Sequence, residues 1–242
     1  MRYSLYVALG DSMTTDHYPT CDVHGLDAPP ARLDPLGAAA LLHSNNDARW
    51  GEFRGRDLER LHPATEFLNL AEDGAMIDDG ATEELARLGH DSSDPGILLT
   101  LTAGGNDLLD ALAAGRSLDR EVRRIEQRYA DLVATIREEL PAATLVLTTV
   151  YDPTDGSGHL PGLESVGWLP LEFLHRFNDR VRHLADDDEG TLVADVHRHF
   201  LGHGMSASDG DRWYWQPSPI EPNARGASEI RRVWLATVNG ER

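Results

Sequence analysis

The sequence predicts an α/β domain of three layers: a parallel five-stranded sheet with helices on both faces. Short runs rich in Val, Leu and Thr alternate with helical patterns along nearly all of the 242 residues. Those runs lack strict polar alternation, as strands buried on both faces do. No repeat of fixed period and no Gly/Ser/Pro-rich linker divides the chain, so residues 1–242 read as a single domain.

The strands are expected at 3–9 (YSLYVAL), 65–70 (TEFLNL), 96–101 (GILLTL), 143–150 (ATLVLTTV) and 191–196 (TLVADV). Residues 34–43 read as a helix, with Asp34 as its cap and Pro35 at the first helical position. The stretch 14–34, rich in Pro and Asp, reads as a cover over a site. In 117–140, Val122, Ile125, Tyr129, Leu132 and Ile136 recur at steps of three and four, which makes one apolar stripe; Pro141 ends the helix. Helices at 170–185 and 224–238 complete the set. In such sheets function collects at the carboxyl ends of the strands.

Bulk properties narrow the function. A hydrophobic content of 40% argues for a folded chain. The longest apolar runs are too short to span a bilayer, and residues 1–10 read as a first strand, not a leader. Cys21 is the only cysteine, which leaves no internal disulfide and fits a reducing cytoplasm. A net charge of -19 would repel a phosphate backbone, so a small molecule is the expected partner and nucleic acid is not.

Three motifs fall where the fold places function. "LGDSMT" follows the first strand and would expose the Ser12 hydroxyl among free backbone N–H groups. "NLAEDGA" follows the second, where Gly74 lets its N–H approach a ligand. "TAGGND" follows the third, where Asn106 offers an amide donor. One hydroxyl and two donors at successive strand ends suit a nucleophile with an oxyanion hole.

At these residues the chain resembles the SGNH (GDSL-type) hydrolases, esterases and lipases on a flavodoxin-like α/β/α fold. The resemblance implies Ser12 as nucleophile, Gly74 and Asn106 as oxyanion donors, an ester or acyl substrate and no cofactor. It also implies Asp-x-x-His before the last helix, usually followed by Pro-Asn. Here that stretch reads "SPIEPNARG": aligned on Pro222-Asn223, Glu221 stands at the histidine and Ser218 at the aspartate. A carboxylate with a pKa of about 4.3 is a poorer proton acceptor than an imidazole near about 6.5, unless burial raises it.

Two sources of a base are open. Glu221 acts alone, or a histidine from 195–223 supplies the imidazole; of His197, His199 and His203, the glycine-flanked His203 is preferred, with His17 as a weaker candidate. "HRHFLGH" lacks a zinc motif, so no metal is expected. Asp11, His17, Asp107, Trp213 and Trp215 are candidates for touching substrate, although Asp11 also suits a turn-shaping role. The alternatives to hydrolysis are a non-covalent acid–base reaction (ring opening, cyclisation or elimination) and a binding protein that has lost catalysis.

Overall fold

Five strands pair in parallel in the order β2-β1-β3-β4-β5. They are β1 (Leu5–Leu9), β2 (Glu66–Asn69), β3 (Ile97–Leu101), β4 (Thr144–Thr148) and β5 (Thr191–Ala194). The structure is a computed structural model and describes residues 3–26, 34–79, 85, 93–115, 117–161 and 168–241. Register is continuous: Leu5 lies beside Glu66 on one side and Ile97 on the other, and Leu145 lies beside Thr191. This strand order is that of flavodoxin-like sheets, whose ligand crevice opens between β1 and β3, where the winding reverses.

The alternation of side chains along each strand divides the core in two. Leu5, Val7, Leu9, Leu99 and Leu147 face one layer, with Ile125, Tyr129 and Ile136 of α5 (Leu118–Glu139) and Phe177 and Val181 of α6 (Leu171–Asp186). Tyr6, Ala8, Leu98 and Val146 face the other, with Ala38 and Leu42 of α2 (Ala38–His43) and Ile230 and Trp234 of α8 (Ala224–Asn239). Trp234 is fully buried, and its indole N–H donates to Thr148 Oγ1 at 2.9 Å. Burying a side chain of this size stabilises the fold by about 2–3 kcal/mol, and the hydrogen bond removes the cost of hiding its polar end.

The remaining helices are α1 (His17–His24), α3 (Leu58–Leu61), α4 (Gly105–Ala113) and α7 (Val196–Phe200). Among the described residues no helix is long and apolar enough to cross a membrane. Several expectations need correction. Strand β2 is an edge, so Glu66 and Asn69 are exposed and it is not buried on both faces. Asp34 does not cap α2; Gly37 begins that helix, and its N–H is held by Asp16 Oδ1 at 2.6 Å. Residues 14–34 include α1, which packs on α8, while 27–33 lie outside the described residues. The strand expected at 191–196 ends at Ala194, and residues 196–200 form a helical turn.

One glycine sets the end of β1. Gly10 has φ 140°, and a Cβ there would lie 2.0 Å from Thr102 Oγ1 and 2.3 Å from the Thr102 carbonyl oxygen. Both the backbone conformation and the close approach therefore require glycine. Gly10→Ala is expected to destabilise the protein by about 2–4 kcal/mol, read as a lower urea midpoint. An unchanged midpoint would mean that the β1 and β3 ends can separate freely.

Candidate active site

The Thr102 clamp builds the turn that carries Ser12. The Thr102 N–H donates to Leu9 O at 3.1 Å, and its hydroxyl accepts from the Asp11 N–H at 3.1 Å and pairs with Thr14 Oγ1 at 2.8 Å. Asp11 closes the turn from within: Oδ1 accepts from the Met13 N–H at 3.0 Å and its carbonyl from the Thr14 N–H at 3.0 Å. Ser12 is held with 7% of its surface exposed. Its own N–H donates to no acceptor among the described residues, which leaves it available to a ligand.

Two neighbouring residues of α4 hold the loop after β2. Asn106 Nδ2 donates to Ala75 O at 2.9 Å, which uses one amide hydrogen and leaves the other. Asp107 Oδ2 accepts from the Ile77 N–H at 3.1 Å, and Oδ1 accepts from Arg128 Nη2 at 2.7 Å. Gly74 lies in that loop, exposed, with φ 78° and an N–H that donates to nothing among the described residues.

Glu221 enters from the loop before α8, and that loop is heavily tied. Asn223 caps α8 by accepting from the Gly226 N–H at 2.8 Å, while its Nδ2 donates to Arg212 O at 2.9 Å. The Trp215 N–H donates to Glu221 O at 2.8 Å, and the Tyr151 hydroxyl donates to Ile220 O at 2.8 Å. The Glu221 side chain is only 6% exposed, and Oε2 has no hydrogen-bond partner. Burial pushes its carboxyl up to about 7; the neighbouring Ser12 side chain pulls it down, and the Asp73 and Asp11 charges push it further up. Asp11, also desolvated, is raised to about 6. Both shifts have burial as their largest cause.

Ser12, Asn106, Asp11 and Glu221 line one cleft of ≈ 900 Å³, its open mouth included. Its walls are apolar: Leu108 and Leu112 of α4, Val122 of α5, Phe173 and Leu174 of α6, and Ile220. Such a cleft, with a few polar groups at one end, suits a small amphiphilic molecule.

The structure brings only some of the expected residues together. His203 does not reach Ser12: its Nδ1 is bonded to Asp211 O at 2.7 Å, and its ring lies flat on Trp213 at 3.6 Å. His199 pairs with Glu229 at 2.9 Å, and His197 is packed 5.4 Å from the His175 ring. His17 is exposed beside Tyr18. Asp107 faces away from the cleft, its carboxylate already committed to Ile77 and Arg128. Trp213 belongs to the core and Trp215 packs on Tyr18, so neither walls the cleft. Sequence reasoning missed the leucines of α4, although "NDLLDALAAG" places Leu108 and Leu112 four residues apart on one face.

A serine hydroxyl, a desolvated carboxyl and amide donors at the end of an apolar cleft are equipped for acyl transfer. The comparisons agree in fold. A candidate GDSL-like lipase from Parabacteroides merdae superposes with a TM-score of 0.64 at 16% identity, covering 100% of this chain and 98% of that one. An alpha/beta hydrolase enzyme from the metagenome of Lake Arreo, Spain, gives 0.62 at 19% identity, with 100% and 98% covered. The acetyl xylan esterase AlAXEase gives 0.60 at 14%, with 96% and 98% covered. No curated protein sequence is significantly similar to the chain. Residues 8–228 match the GDSL-like Lipase/Acylhydrolase family, a span that runs from β1 into α8. On that match the chain belongs to the GDSL-like lipase/acylhydrolase family.

Proposed function

We propose that the protein is a serine acylhydrolase that cleaves small esters through Ser12, with Glu221 in place of a histidine as the base. The observation that carries this reading is the buried Glu221 carboxyl beside Ser12, with Oε2 unpartnered at the end of an apolar cleft. Burial brings it to about 7, close to an ordinary imidazole near about 6.5, so the substitution keeps a base of suitable strength.

The steps follow from these groups. The ionised Glu221 takes the Ser12 proton as Oγ bonds to the carbonyl carbon, and the carbonyl electrons move to oxygen. The N–H groups of Ser12 and Gly74 and the free amide hydrogen of Asn106 receive that oxyanion. Collapse breaks the bond to the alkoxide, which leaves with the proton from Glu221. Water then attacks the acyl-serine, gives a proton to Glu221, and the acid departs as that proton returns to Ser12. The acyl chain lies against Leu108, Leu112, Val122 and Phe173.

A fluorophosphonate probe is expected to label wild-type protein at Ser12 and to leave Ser12→Ala untouched. Glu221→Gln should lower kcat/KM on a short aryl ester by about 10²–10³-fold with KM little changed. Full activity in that variant would remove Glu221 from the mechanism, and an unlabelled but active wild type would favour non-covalent chemistry.

The pH dependence has a definite sign. A base works when ionised, so kcat/KM should rise through about pH 7 and level off above it. Stability moves the other way. Between the ordinary glutamate range and about 7 the folded chain keeps a proton that the unfolded chain has released, so stability falls as pH rises across that window. The loss attributable to Glu221 is on the order of 3 kcal/mol. Urea midpoints at pH 5 and pH 8 should therefore differ more in wild type than in Glu221→Gln. Equal slopes would mean that the carboxyl ionises as freely folded as unfolded.

A further inference from the structure

The cleft beside Ser12 has a direction and an end. It follows α4, whose residues Gly105, Asn106, Leu108, Leu109 and Leu112 all line it, a spacing that keeps one helix face along the cleft. Helix α4 leaves the carboxyl end of β3, so its first residues belong to the Ser12 end and its last turn lies away from it. Leu118 and Val122 also line the cleft; they stand in the first turns of α5, which begins five residues after α4 ends. The facing wall is the start of α6, with Leu171 and Leu174.

The polar side chains gather at one end. They are Asp11, Ser12, Asn106, Asp152 and Glu221, from the segments after β1, β3 and β4 and the loop before α8. Asp152 is already committed, its Oδ1 accepting from the Thr154 N–H at 2.8 Å and its Oδ2 from the Gly156 N–H at 2.7 Å. Beyond Asn106, the lining side chains of α4, α5 and α6 are all apolar. A hydroxyl or a charge placed there would lose its water with nothing to replace it. Leu109 is 37% exposed and Leu108 and Leu112 are half-buried, which is apolar surface that a hydrocarbon would cover. From Asn106, a donor to the oxyanion in the proposed reaction, to Leu112 is about 9 Å of helix, the reach of about seven carbons beyond a carbonyl.

We propose that the protein selects straight, medium-length acyl chains, with octanoyl preferred, and that Leu112 and Leu118 set the limit. This inference rests on the acylhydrolase reading and deepens it, because it names the acyl half of the ester. A shorter chain leaves the α4 leucines uncovered, so each added carbon gains contact until the helix ends. A longer chain meets Leu118 and Val122 and must bend out into water, which adds nothing.

The p-nitrophenyl esters of acetate, butanoate, octanoate and dodecanoate read the length directly. In wild type kcat/KM should rise by at least about 50-fold from acetyl to octanoyl and should not rise further at dodecanoyl. Leu112→Trp should lower the octanoyl-to-butanoyl ratio by about tenfold, and Leu112→Ala should raise the dodecanoyl-to-octanoyl ratio by about threefold. Leu118→Trp provides a second blocking variant, expected to act in the same direction as Leu112→Trp. Each ratio is taken within one variant, so a partly unfolded sample lowers both of its members alike. A preference for acetyl, a rise that continues to dodecanoyl, or ratios that none of the three variants moves overturns the proposal. Binding is measured apart from cleavage with butanamide and octanamide on Ser12→Ala, where octanamide should bind at least about tenfold more tightly. If the amides show that preference and Leu112→Trp in the same background abolishes it while no ester is cleaved by wild type, the acylhydrolase reading fails and the length-selective cleft stands.

Discussion

A carboxyl held out of water against a serine hydroxyl is the constraint on which the site depends. Left in solvent, Glu221 would be ionised well below neutral pH and would be a weak acceptor for a hydroxyl proton. Its burial at 6% exposure changes that, and the burial is produced by backbone contacts several residues away. The Asn223 cap fixes the start of α8, the Trp215 N–H holds the Glu221 carbonyl, and Tyr151 holds that of Ile220. The proton affinity of this carboxyl is thus a property of how the chain enters its last helix.

The opposite wall is set by equally indirect means. Thr102 joins the ends of β1 and β3 and orders the Ser12 turn, but its hydroxyl faces backbone and Thr14, not the cleft. Asn106 and Asp107 are adjacent in sequence and have different tasks because a helix turns by about 100° per residue. Asn106 therefore borders the cleft while holding Ala75, whereas Asp107 is driven beneath the loop to meet Ile77 and Arg128. The loop that carries Gly74 is held by these two side chains.

The sheet was legible in the sequence because buried strands leave a strong mark: β1 is apolar throughout, β3 is apolar but for Thr100, and both are buried along their full length. The motifs of Ser12 and Asn106 were legible because each directly follows such a run, whereas that of Gly74 follows the exposed edge strand β2. The histidines were not. One turn at 196–200 is too short to leave a periodic signature, yet it is enough to swing His197 and His199 toward packing partners. His203, read as poised between two glycines, lies flat against Trp213. Composition cannot distinguish an aromatic that walls a cleft from one that fills a core, which is why Trp213 and Trp215 were expected at the site and Leu108 and Leu112 were not.

The charge balance of the proposed reaction explains why Ser218 can stand where the family has an aspartate. When imidazole takes a serine proton, a cation appears, and an adjacent carboxylate stabilises it. When a carboxylate takes the proton, no cation forms: one negative charge passes from Glu221 to the oxyanion, and the base becomes neutral. A neighbouring acid then helps by repulsion, because it disfavours the ionised base and favours the protonated one that exists in the transition state. Asp11 and Asp73 act on Glu221 in that direction. Their repulsion also reaches the oxyanion, so the scheme requires donors aimed at that oxygen and not at Glu221. The N–H of Ser12 and the spare amide hydrogen of Asn106 are uncommitted donors on residues that line the cleft, the N–H of Gly74 is uncommitted in the loop beside it, and Glu221 Oε2 receives no donor at all.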